Sequence, residues 1–470
     1  MFLQYIYKPI LNAIYKTFTC RISENKRNLV VMLGFFAIFV LQFLSQYIFL
    51  YQGLNRGIRD YAICLIFGII IIFSMNKEVQ IEKWNKVVYI PYILIGICLL
   101  IAAFDHEMGP SYKAFPVFIL VVFMCLYFVW GNRKDWHILF DCIAQGYCIF
   151  SLIVFFLCVC CSSYYEHLMY FGYAPFDINP NGVAKIFVPG IACGMYMLLT
   201  KDRLKWLYGF IAAASLAVTH LADSRSGSIC ALLLCILTAI FAYCRVRNKA
   251  QNQYDILKWI MIACLIAILF GFSVFLIKEV SGSIYDLNHP NKNTIIVDGT
   301  TQKKESSDTN TLKSERDNIV SQKIENIEKE SSNHGELYQK LNVMSRGRLA
   351  IWNEYFSHMT FRGKSKLMFV DTEYAHNQYI ELAYKAGILT GILYFLFTVF
   401  VGISLIKNFL KKSLADSCCI FQSLVYIPFF LLTMFDTGIL PMERGFILIY
   451  YVSLAPLFFS NQREKKQNVL

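Results

Sequence analysis

The chain alternates between long apolar runs and short polar segments that are rich in basic residues. A membrane-spanning helix needs about 20 mostly apolar residues to cross a hydrocarbon core of roughly 30 Å. Twelve segments meet or approach this length, near residues 30–50, 60–75, 87–104, 115–130, 138–161, 183–200, 204–222, 226–245, 256–277, 380–406, 417–436 and 444–460. The pattern therefore predicts an all-α polytopic membrane protein with about 12 transmembrane helices.

Basic residues are distributed unequally between the two sets of connecting segments. Lys and Arg in short loops are retained on the cytoplasmic side of a membrane, whereas acidic residues contribute little to orientation. With the N-terminus placed in the cytoplasm, the inner segments hold 23 Lys and Arg and the short outer loops hold 5. This asymmetry predicts that both termini are cytoplasmic and that the long loop between the ninth and tenth spans is extracytoplasmic.

These assignments divide the chain into five parts. They are a cytoplasmic basic segment at 1–29, spans 1–9 at 30–277, an extracytoplasmic loop at 278–379, spans 10–12 at 380–460 and a cytoplasmic tail at 461–470. The first twenty residues lack the pattern of a cleavable signal peptide, so the first span is expected to act as the insertion signal. Residues 2–20 are expected to form either an amphipathic helix along the inner membrane surface or a poorly ordered basic tail.

The composition agrees with this architecture and argues against other classes. Hydrophobic residues make up 57% of the 470-residue chain, which is more than a soluble core needs. The net charge of +12 follows from the basic inner loops, so nucleic-acid binding is not expected. Nearly all 16 cysteines fall within predicted spans, and no Cys/His spacing matches a zinc or haem site. No metal and no cofactor are therefore expected.

The long outer loop has two parts of different composition. Residues 281–340 are polar and poor in aromatic residues, which predicts a disordered or weakly helical insertion. Residues 341–379 differ because hydrophobic residues recur at helical spacing. These are Leu349, Trp352, Tyr355 and Phe356. The second part is therefore predicted to be the functional one and to lie on the outer surface of the bundle.

The predicted outer face brings together cationic and polar side chains from three loops. They are Asn181 and Lys185 at the start of the sixth span, Arg225 ahead of the eighth span, and Arg346, Arg348, Arg362, Lys364, His376 and Asn377 of the long loop. Guanidinium groups bind phosphate oxygens in a bidentate manner, and histidine can take up a proton near neutral pH. The set favours a site for a pyrophosphate at the membrane surface, with one proton-transfer residue.

These residue types also have structural interpretations. Arg225 at a helix mouth is typical of an interfacial anchor, and the basic cluster at 362–366 is typical of a loop beside lipid headgroups. A histidine such as His376 is often a polar residue at a helix start, where Asn377 would be a cap. Asn181 follows a proline and is typical of a turn.

Three motifs occur in a fixed order along the chain. They are an SRSG turn that opens an apolar span, a long outer loop ending in SRGRLAIW, and AHNQYIELAYKAGILTGILYF leading into the next span. This set resembles the O-antigen ligase and O-antigen polymerase superfamily of membrane glycosyltransferases, which act in capsule, exopolysaccharide and cell-envelope synthesis. The motifs cover 220–245 and 343–400, about a sixth of the chain. The family's glycine-rich turn before the histidine is replaced here by FRGKSKLMFVDTEY, which has a single glycine.

The resemblance implies a multi-pass enzyme of the bacterial cytoplasmic membrane. Such an enzyme transfers a glycan from undecaprenyl pyrophosphate to an acceptor glycan on the outer face, without a metal or other cofactor. Arg225 matches the family's arginine ahead of the middle span, Arg348 the arginine of the GR-x-x-x-W element, and His376 the histidine of the HN pair. These three residues are therefore expected to be catalytic.

The implied mechanism is a single inverting displacement. The two arginines would hold the departing pyrophosphate, and His376 would activate the acceptor hydroxyl. Contacts with substrate are expected from Arg346, Asn181, Lys185, Arg362, Lys364 and Asn377. Two acidic residues near the histidine, Asp371 and Glu373, are alternative candidates for the base. Membrane lipids and polysaccharide-assembly proteins are the expected further partners.

Two other functions remain open at this point. Polymerisation of lipid-linked oligosaccharide repeat units is the preferred activity, but a ligase that moves finished glycan to another acceptor would share the motifs. A transporter or flippase of anionic lipid-linked substrate would instead require charges near the bilayer middle and broken helices in matching halves. Asp141 is the isolated deep candidate for that role, since Glu381 and Lys385, four residues apart, are expected to neutralise each other.

Overall fold

The computed structural model describes most of the chain and is mostly helical. The described residues are 2–48, 56–76, 78–79, 84–104, 110–133, 135–164, 167–169, 172–248, 253–281, 283–284, 294–297, 300–303, 340, 348–363, 375–411, 416–436, 438 and 440–459. The main α-helices in these ranges are α1 (Phe2–Ile14), α2 (Glu24–Phe43), α3 (Arg56–Ser74), α4 (Lys86–Ala103), α5 (Pro110–Val117), α6 (Phe123–Arg133), α7 (Trp136–Cys161), α8 (Pro180–Thr200), α9 (Lys205–Leu221), α10 (Arg225–Asn248), α11 (Gln253–Phe275), α12 (Arg348–His358), α13 (Gln378–Ala386), α14 (Ile388–Lys411), α15 (Ser417–Phe435) and α16 (Gly445–Ser453).

Two short antiparallel strand pairs accompany the helices. Strands β1 (Leu168–Met169) and β2 (Gly172–Tyr173) pair ahead of α8, and β3 (Thr294–Val297) pairs with β4 (Thr300–Lys303). The second pair lies in the part of the long loop that was expected to lack strands. An Asp-Gly dipeptide separates its two β-branched runs, which is the sequence pattern of a tight hairpin. Most of the remainder of 281–340 lies outside the described residues.

The polytopic helical architecture is confirmed at a coarse level. Within the described ranges, ten helices are long and apolar enough to cross a membrane, with spans of 18–26 residues. They are Glu24–Gln46, Gly57–Ser74, Lys86–Ala103, Ser111–Arg133, Trp136–Cys161, Pro180–Thr200, Arg225–Val246, Leu257–Val280, Ile388–Leu410 and Ser417–Phe435. The two other predicted spans correspond to α9, which has 17 residues, and to the short apolar segment Gly445–Phe458.

The N-terminal segment is helical and packs on the bundle. In α1, Leu11 is buried, and the Tyr7 hydroxyl donates a hydrogen bond of 2.8 Å to the carbonyl of Leu120. Of the two interpretations of residues 2–20, the helix is therefore the one that the structure supports.

Contacts between residues that are far apart in sequence mark the two ends of the bundle. At one end Arg133 forms an ion pair of 2.7 Å with Glu24, and the amide of Asn85 donates to the carbonyl of Phe458 at 2.8 Å. At the other end Arg59 lies 3.7 Å from Glu443. We call the end with Arg59 the site end and the other the opposite end. The charge pattern predicts that the site end is extracytoplasmic.

Helix α8 occupies the centre of the bundle, and every residue from Gly182 to Leu199 is buried. Small residues allow its neighbours to approach closely, as in other membrane bundles. A Cβ atom at Gly194 would lie 3.1 Å from the backbone nitrogen of Ala212 in α9. Lys185, in the second turn of α8, is therefore held in a fully packed environment at the site end.

The predicted span at 380–406 is not one helix. It divides at Gly387, whose φ of +97° lies in the left-handed half of conformational space, so α13 and α14 are separate. The backbone of residues 360–363 fills the break, because the Ile388 amide donates to the Thr360 carbonyl at 3.2 Å. A Cβ atom at Gly387 would lie 2.3 Å from the carbonyl oxygen of Phe361. The apolar sequence continues through this break, so hydropathy does not reveal it.

Gly387→Ala is expected to lower the thermal unfolding midpoint of the purified protein. The substitution forces a Cβ atom into the Phe361 backbone and costs about 1–3 kcal/mol in backbone strain alone. Gly271→Ala in α11 is the matched control, because nothing lies within 4 Å of its Cβ position and alanine favours a helix. Equal midpoints for the two variants would show that the break at Gly387 does not require glycine.

Candidate functional site

A buried ion pair lies at the centre of the site end. Lys185, in the second turn of α8, places its Nζ atom 2.8 Å from Oδ2 of Asp436, which follows α15 directly. Both side chains are at least nine-tenths buried. A charge in such an environment requires a partner, so each residue fixes the position of the other. The pair joins two helices that are remote in sequence.

His376 faces the same carboxylate. Its Nδ1 atom lies 3.8 Å from Oδ1 of Asp436, which is beyond a hydrogen bond but within the range of a charge interaction. The side chain is one-third exposed, so it is accessible from the site end. Asp436 thus stands between Lys185 and His376, with one carboxylate oxygen toward each.

The backbone on both sides of His376 is held by neighbouring side chains. Trp352 of α12 donates a 2.6 Å hydrogen bond from its indole nitrogen to the carbonyl of Ala375. Asn377 caps α13, since its Oδ1 accepts from the amides of Tyr379 and Ile380 at 3.0 and 3.1 Å. The Asn377 amide nitrogen also donates to the Met434 carbonyl at 3.1 Å. In this structure Asn377 has the position of a cap that supports the histidine.

The helical character predicted for residues 349–356 is confirmed by α12. Tyr355 is fully buried and packs edge-to-face against Tyr384 of α13, with ring centroids 5.0 Å apart. Phe356, predicted to be on the same packing face, is instead 57% exposed. The helix therefore contacts α13 through Tyr355 and the segment ahead of α13 through Trp352, and it leaves Phe356 on the outside.

The structure brings Asn181 and the SRSG turn together. The Ser224 hydroxyl donates a 2.9 Å hydrogen bond to Oδ1 of Asn181, and it also accepts from the Gly227 amide at 3.3 Å. This contact ties the start of α8 to the start of α10. Arg225, the first residue of α10, is exposed, and no carboxylate in the described ranges forms an ion pair with it.

The remaining predicted residues have different placements. Arg348 is the first residue of α12 and is half-buried, whereas Arg362 is exposed beside the break at Gly387. Arg346, Lys364, Asp371 and Glu373 lie outside the described residues.

Sequence reasoning did not identify several polar residues of the site end. Arg444 donates to Oε1 of Gln46 at 2.6 Å, and Arg59 contacts both Asp60, at 2.8 Å, and Glu443. A signal for two of them was available. Arg59 and Arg444 are among the five basic residues of short outer loops, where the positive-inside pattern makes cations rare.

A second ion pair lies nearby. Glu381 and Lys385 of α13 contact each other as predicted, and Lys385 also lies 3.1 Å from the hydroxyl of Tyr112. The carboxylate of Glu381 is buried, and the ammonium group of Lys385 compensates its charge. The described part of the site end thus holds opposite-sign pairs at Lys185–Asp436, Arg59–Asp60 and Glu381–Lys385.

Unusual backbone conformations collect at the same end. Among the described residues, the non-glycine residues with left-handed φ are Phe176, Asp177, Leu204, Asp223 and His376, and all but Leu204 lie in loops of the site end. Such conformations cost free energy and are common at functional sites. Tyr173 supports the loop ahead of α8, since its hydroxyl donates to the Ser162 carbonyl at 2.9 Å. Burial raises the pKa of the Tyr173 phenol, so it remains a neutral donor.

Comparison with protein-family models, with curated proteins and with solved structures finds no match to this chain. The functional interpretation therefore depends on the site itself and on the sequence motifs. Within the described ranges, no three His, Cys, Asp or Glu residues are grouped closely enough to hold a metal ion.

Proposed function

We propose that this protein transfers a glycan from undecaprenyl pyrophosphate to an acceptor hydroxyl at the extracytoplasmic surface of the cytoplasmic membrane. The reaction would polymerise lipid-linked oligosaccharide repeat units. The observation that carries the proposal is the position of His376, a partly exposed histidine beside the buried carboxylate of Asp436. A base oriented by a carboxylate is a recurring arrangement for activating a hydroxyl.

The charge of Asp436 gives His376 its proposed role. When the imidazole takes the proton of the acceptor hydroxyl it becomes positively charged, and the carboxylate 3.8 Å away stabilises that charge. Lys185 holds the carboxylate in place at 2.8 Å. The attacking oxygen then forms the new glycosidic bond at the anomeric carbon while the bond to the pyrophosphate breaks. The separation between ring and carboxylate is expected to shorten when substrate binds, as is common for catalytic contacts.

The donor pyrophosphate is assigned to Arg225 and Arg348. Each is the first residue of a helix, α10 and α12 respectively, where the positive end of the helix dipole favours an anion. Both side chains retain accessible surface. Their guanidinium groups would stabilise the negative charge that develops on the leaving pyrophosphate.

The carrier alternative receives less support from the charged residues. Asp141 was its isolated deep candidate, but this residue forms an ion pair with Lys201 and accepts a 3.0 Å hydrogen bond from the Tyr196 hydroxyl. A carboxylate paired in this way fits a structural role at the opposite end of the bundle. The products distinguish a polymerase from a ligase. A polymerase forms a ladder of chain lengths from the lipid-linked repeat unit alone, whereas a ligase moves finished glycan to another acceptor.

Substitution of the two proposed donor-binding arginines tests the transferase proposal. Arg225→Lys and Arg348→Lys are each expected to lose most of the turnover, because lysine retains the charge but not the bidentate geometry. Arg362→Lys, on the same loop as Arg348, is the matched control. It is expected to lower the turnover only mildly. The measurement is conversion of lipid-linked repeat units to longer chains by purified protein.

Two results would contradict the proposal. One is full activity of both Arg225→Lys and Arg348→Lys, which would remove the arginines from the donor site. The other is a wild-type protein that moves the lipid-linked substrate across a vesicle membrane but neither extends nor transfers the glycan. That result would favour the carrier.

A further inference from the structure

Trp352 connects two groups to which the transfer reaction is assigned. It lies one turn after Arg348 on α12, so the two residues share one face of that helix. Its indole nitrogen donates the 2.6 Å hydrogen bond to the carbonyl of Ala375, the residue directly before His376. One side chain thus joins the helix of the donor arginine to the backbone of the histidine.

The backbone of His376 requires support from its surroundings. Its φ of +47° lies in the left-handed region, which costs a residue other than glycine free energy. A return to an ordinary backbone conformation would change the direction of the imidazole relative to Asp436. The residue before it, Ala375, is fully buried, so a hydrogen bond to its carbonyl is shielded from water. Trp352 therefore acts at the point where the chain enters the left-handed turn.

A second hydrogen bond fixes the histidine relative to its carboxylate. The Asn377 amide nitrogen donates to the carbonyl of Met434 at 3.1 Å, two residues before Asp436. The two hydrogen bonds on either side of His376 therefore have different tasks. Asn377 sets the spacing between the histidine and Asp436, and Trp352 sets the spacing between the histidine and α12.

The position of α12 itself does not depend on the indole N–H group. A small hydrophobic cluster joins α12 to the start of α13, and its buried residues are Tyr355, Ala375 and Tyr384. Trp352 is only half-buried beside this cluster. Loss of its N–H group would therefore leave the packing of α12 in place while releasing the Ala375 carbonyl.

We propose that Trp352 is a positioning residue, whose indole N–H group holds the left-handed turn at His376 and thereby fixes the spacing between the base and Arg348. This role rests on the proposed transferase function. In that reaction His376 takes the acceptor proton, the acceptor oxygen bonds to the anomeric carbon, and the bond to the pyrophosphate breaks in the same displacement. A base and a leaving-group cation that act together must keep a constant separation.

The test replaces Trp352 with benzothienylalanine, which keeps the shape of tryptophan but has a sulfur atom in place of the N–H group. Turnover at saturating substrate is expected to fall about tenfold, the weight of one hydrogen bond shielded from water. The KM for the lipid-linked donor should stay near the wild-type value. Phe356→Leu is the control on the same helix, because Phe356 is 57% exposed, and its turnover should be unchanged. Wild-type turnover of the benzothienylalanine protein would overturn the proposal.

A double-mutant cycle separates positioning from a general structural role. If Trp352 acts through His376, benzothienylalanine should not lower the residual transfer of the His376→Ala protein any further, because the group that it orients is gone. The same tenfold loss in the wild-type and His376→Ala backgrounds would show that Trp352 acts on the fold or on the donor site. That result would also overturn the proposal.

NMR of isotopically labelled histidine tests the turn without turnover. The signal of His376 is the one that is missing from His376→Ala, and its Cα and Cβ chemical shifts report the backbone conformation. These shifts are expected to change in the benzothienylalanine protein and to stay constant in Phe356→Leu. If the shifts change but wild-type protein transfers no glycan, the transferase proposal is wrong and Trp352 still holds the turn. If wild-type protein transfers glycan but benzothienylalanine alters neither shifts nor turnover, the positioning role is wrong and the transferase proposal stands.

Discussion

His376→Ala is expected to reduce glycan transfer by about 10²–10⁴, the range that a positioned proton-transfer residue contributes. Binding of the lipid-linked donor should remain close to that of the wild type, because the imidazole is assigned to the acceptor hydroxyl and not to the pyrophosphate. Turnover is measured as chain extension by purified protein, and donor affinity is measured separately on the same samples. The split between the two readouts distinguishes lost chemistry from lost folding.

The same loop supplies a matched control. His358 lies in α12 and forms its hydrogen bonds within that helix, to Ser357 and Glu354. His358→Ala should therefore leave turnover near the wild-type value. If His376→Ala were fully active while Asp371→Asn or Glu373→Gln was inactive, the base would be a carboxylate and the role given to His376 would be wrong.

Breaking the Lys185–Asp436 pair is expected to have a large effect on stability as well as on activity. Asp436→Leu leaves the Lys185 ammonium buried without its carboxylate, and removal of one partner of a buried pair typically costs about 3–5 kcal/mol. The thermal unfolding midpoint and the yield of monodisperse protein should both fall. Lys185→Met should act in the same direction, because it leaves the carboxylate unpaired.

The double variant separates structure from catalysis. Lys185→Met/Asp436→Leu removes both charges, and apolar replacement of a whole buried pair is often neutral for stability. We expect the unfolding midpoint to recover while transfer stays low, since His376 has lost the carboxylate that orients it. If the double variant is stable and transfers glycan at the wild-type rate, the Lys185–Asp436 pair has only a structural role.

The pair at the opposite end serves as the reference. Lys201 is 36% exposed where it contacts Asp141, so solvent screens this interaction and its loss should cost about 1 kcal/mol or less. Asp141→Asn is therefore expected to retain both folding and transfer. If Asp141→Asn folded normally but lost glycan transfer, the result would favour the carrier alternative.

Local sequence patterns were sufficient for several features of the fold. Ten predicted spans correspond to long apolar helices, because crossing a membrane imposes a length and a composition that can be counted along the chain. The helix at Arg348–His358 followed from the spacing of hydrophobic residues, and the Glu381–Lys385 pair followed from an i,i+4 separation. Each of these depends on residues that lie close together in sequence, within a single helix.

Other features depended on residues that are far apart in sequence. The apolar run after His376 predicts one continuous span, and only the approach of the Phe361 carbonyl explains the break at Gly387. Phe356 continues the hydrophobic spacing of α12, yet it is 57% exposed, because α12 packs against α13 through the neighbouring Tyr355. Hydropathy sums side-chain properties along the chain and carries no information about these approaches.

By itself, the sequence determined that this is a helical membrane protein, and it selected His376, Arg225 and Arg348 as candidates through motifs and charge. Only the tertiary structure placed Asp436 between Lys185 and His376. The reason is physical. Span formation is a local transfer of apolar residues into lipid, whereas the partner of a buried charge or amide is decided by which helices pack together.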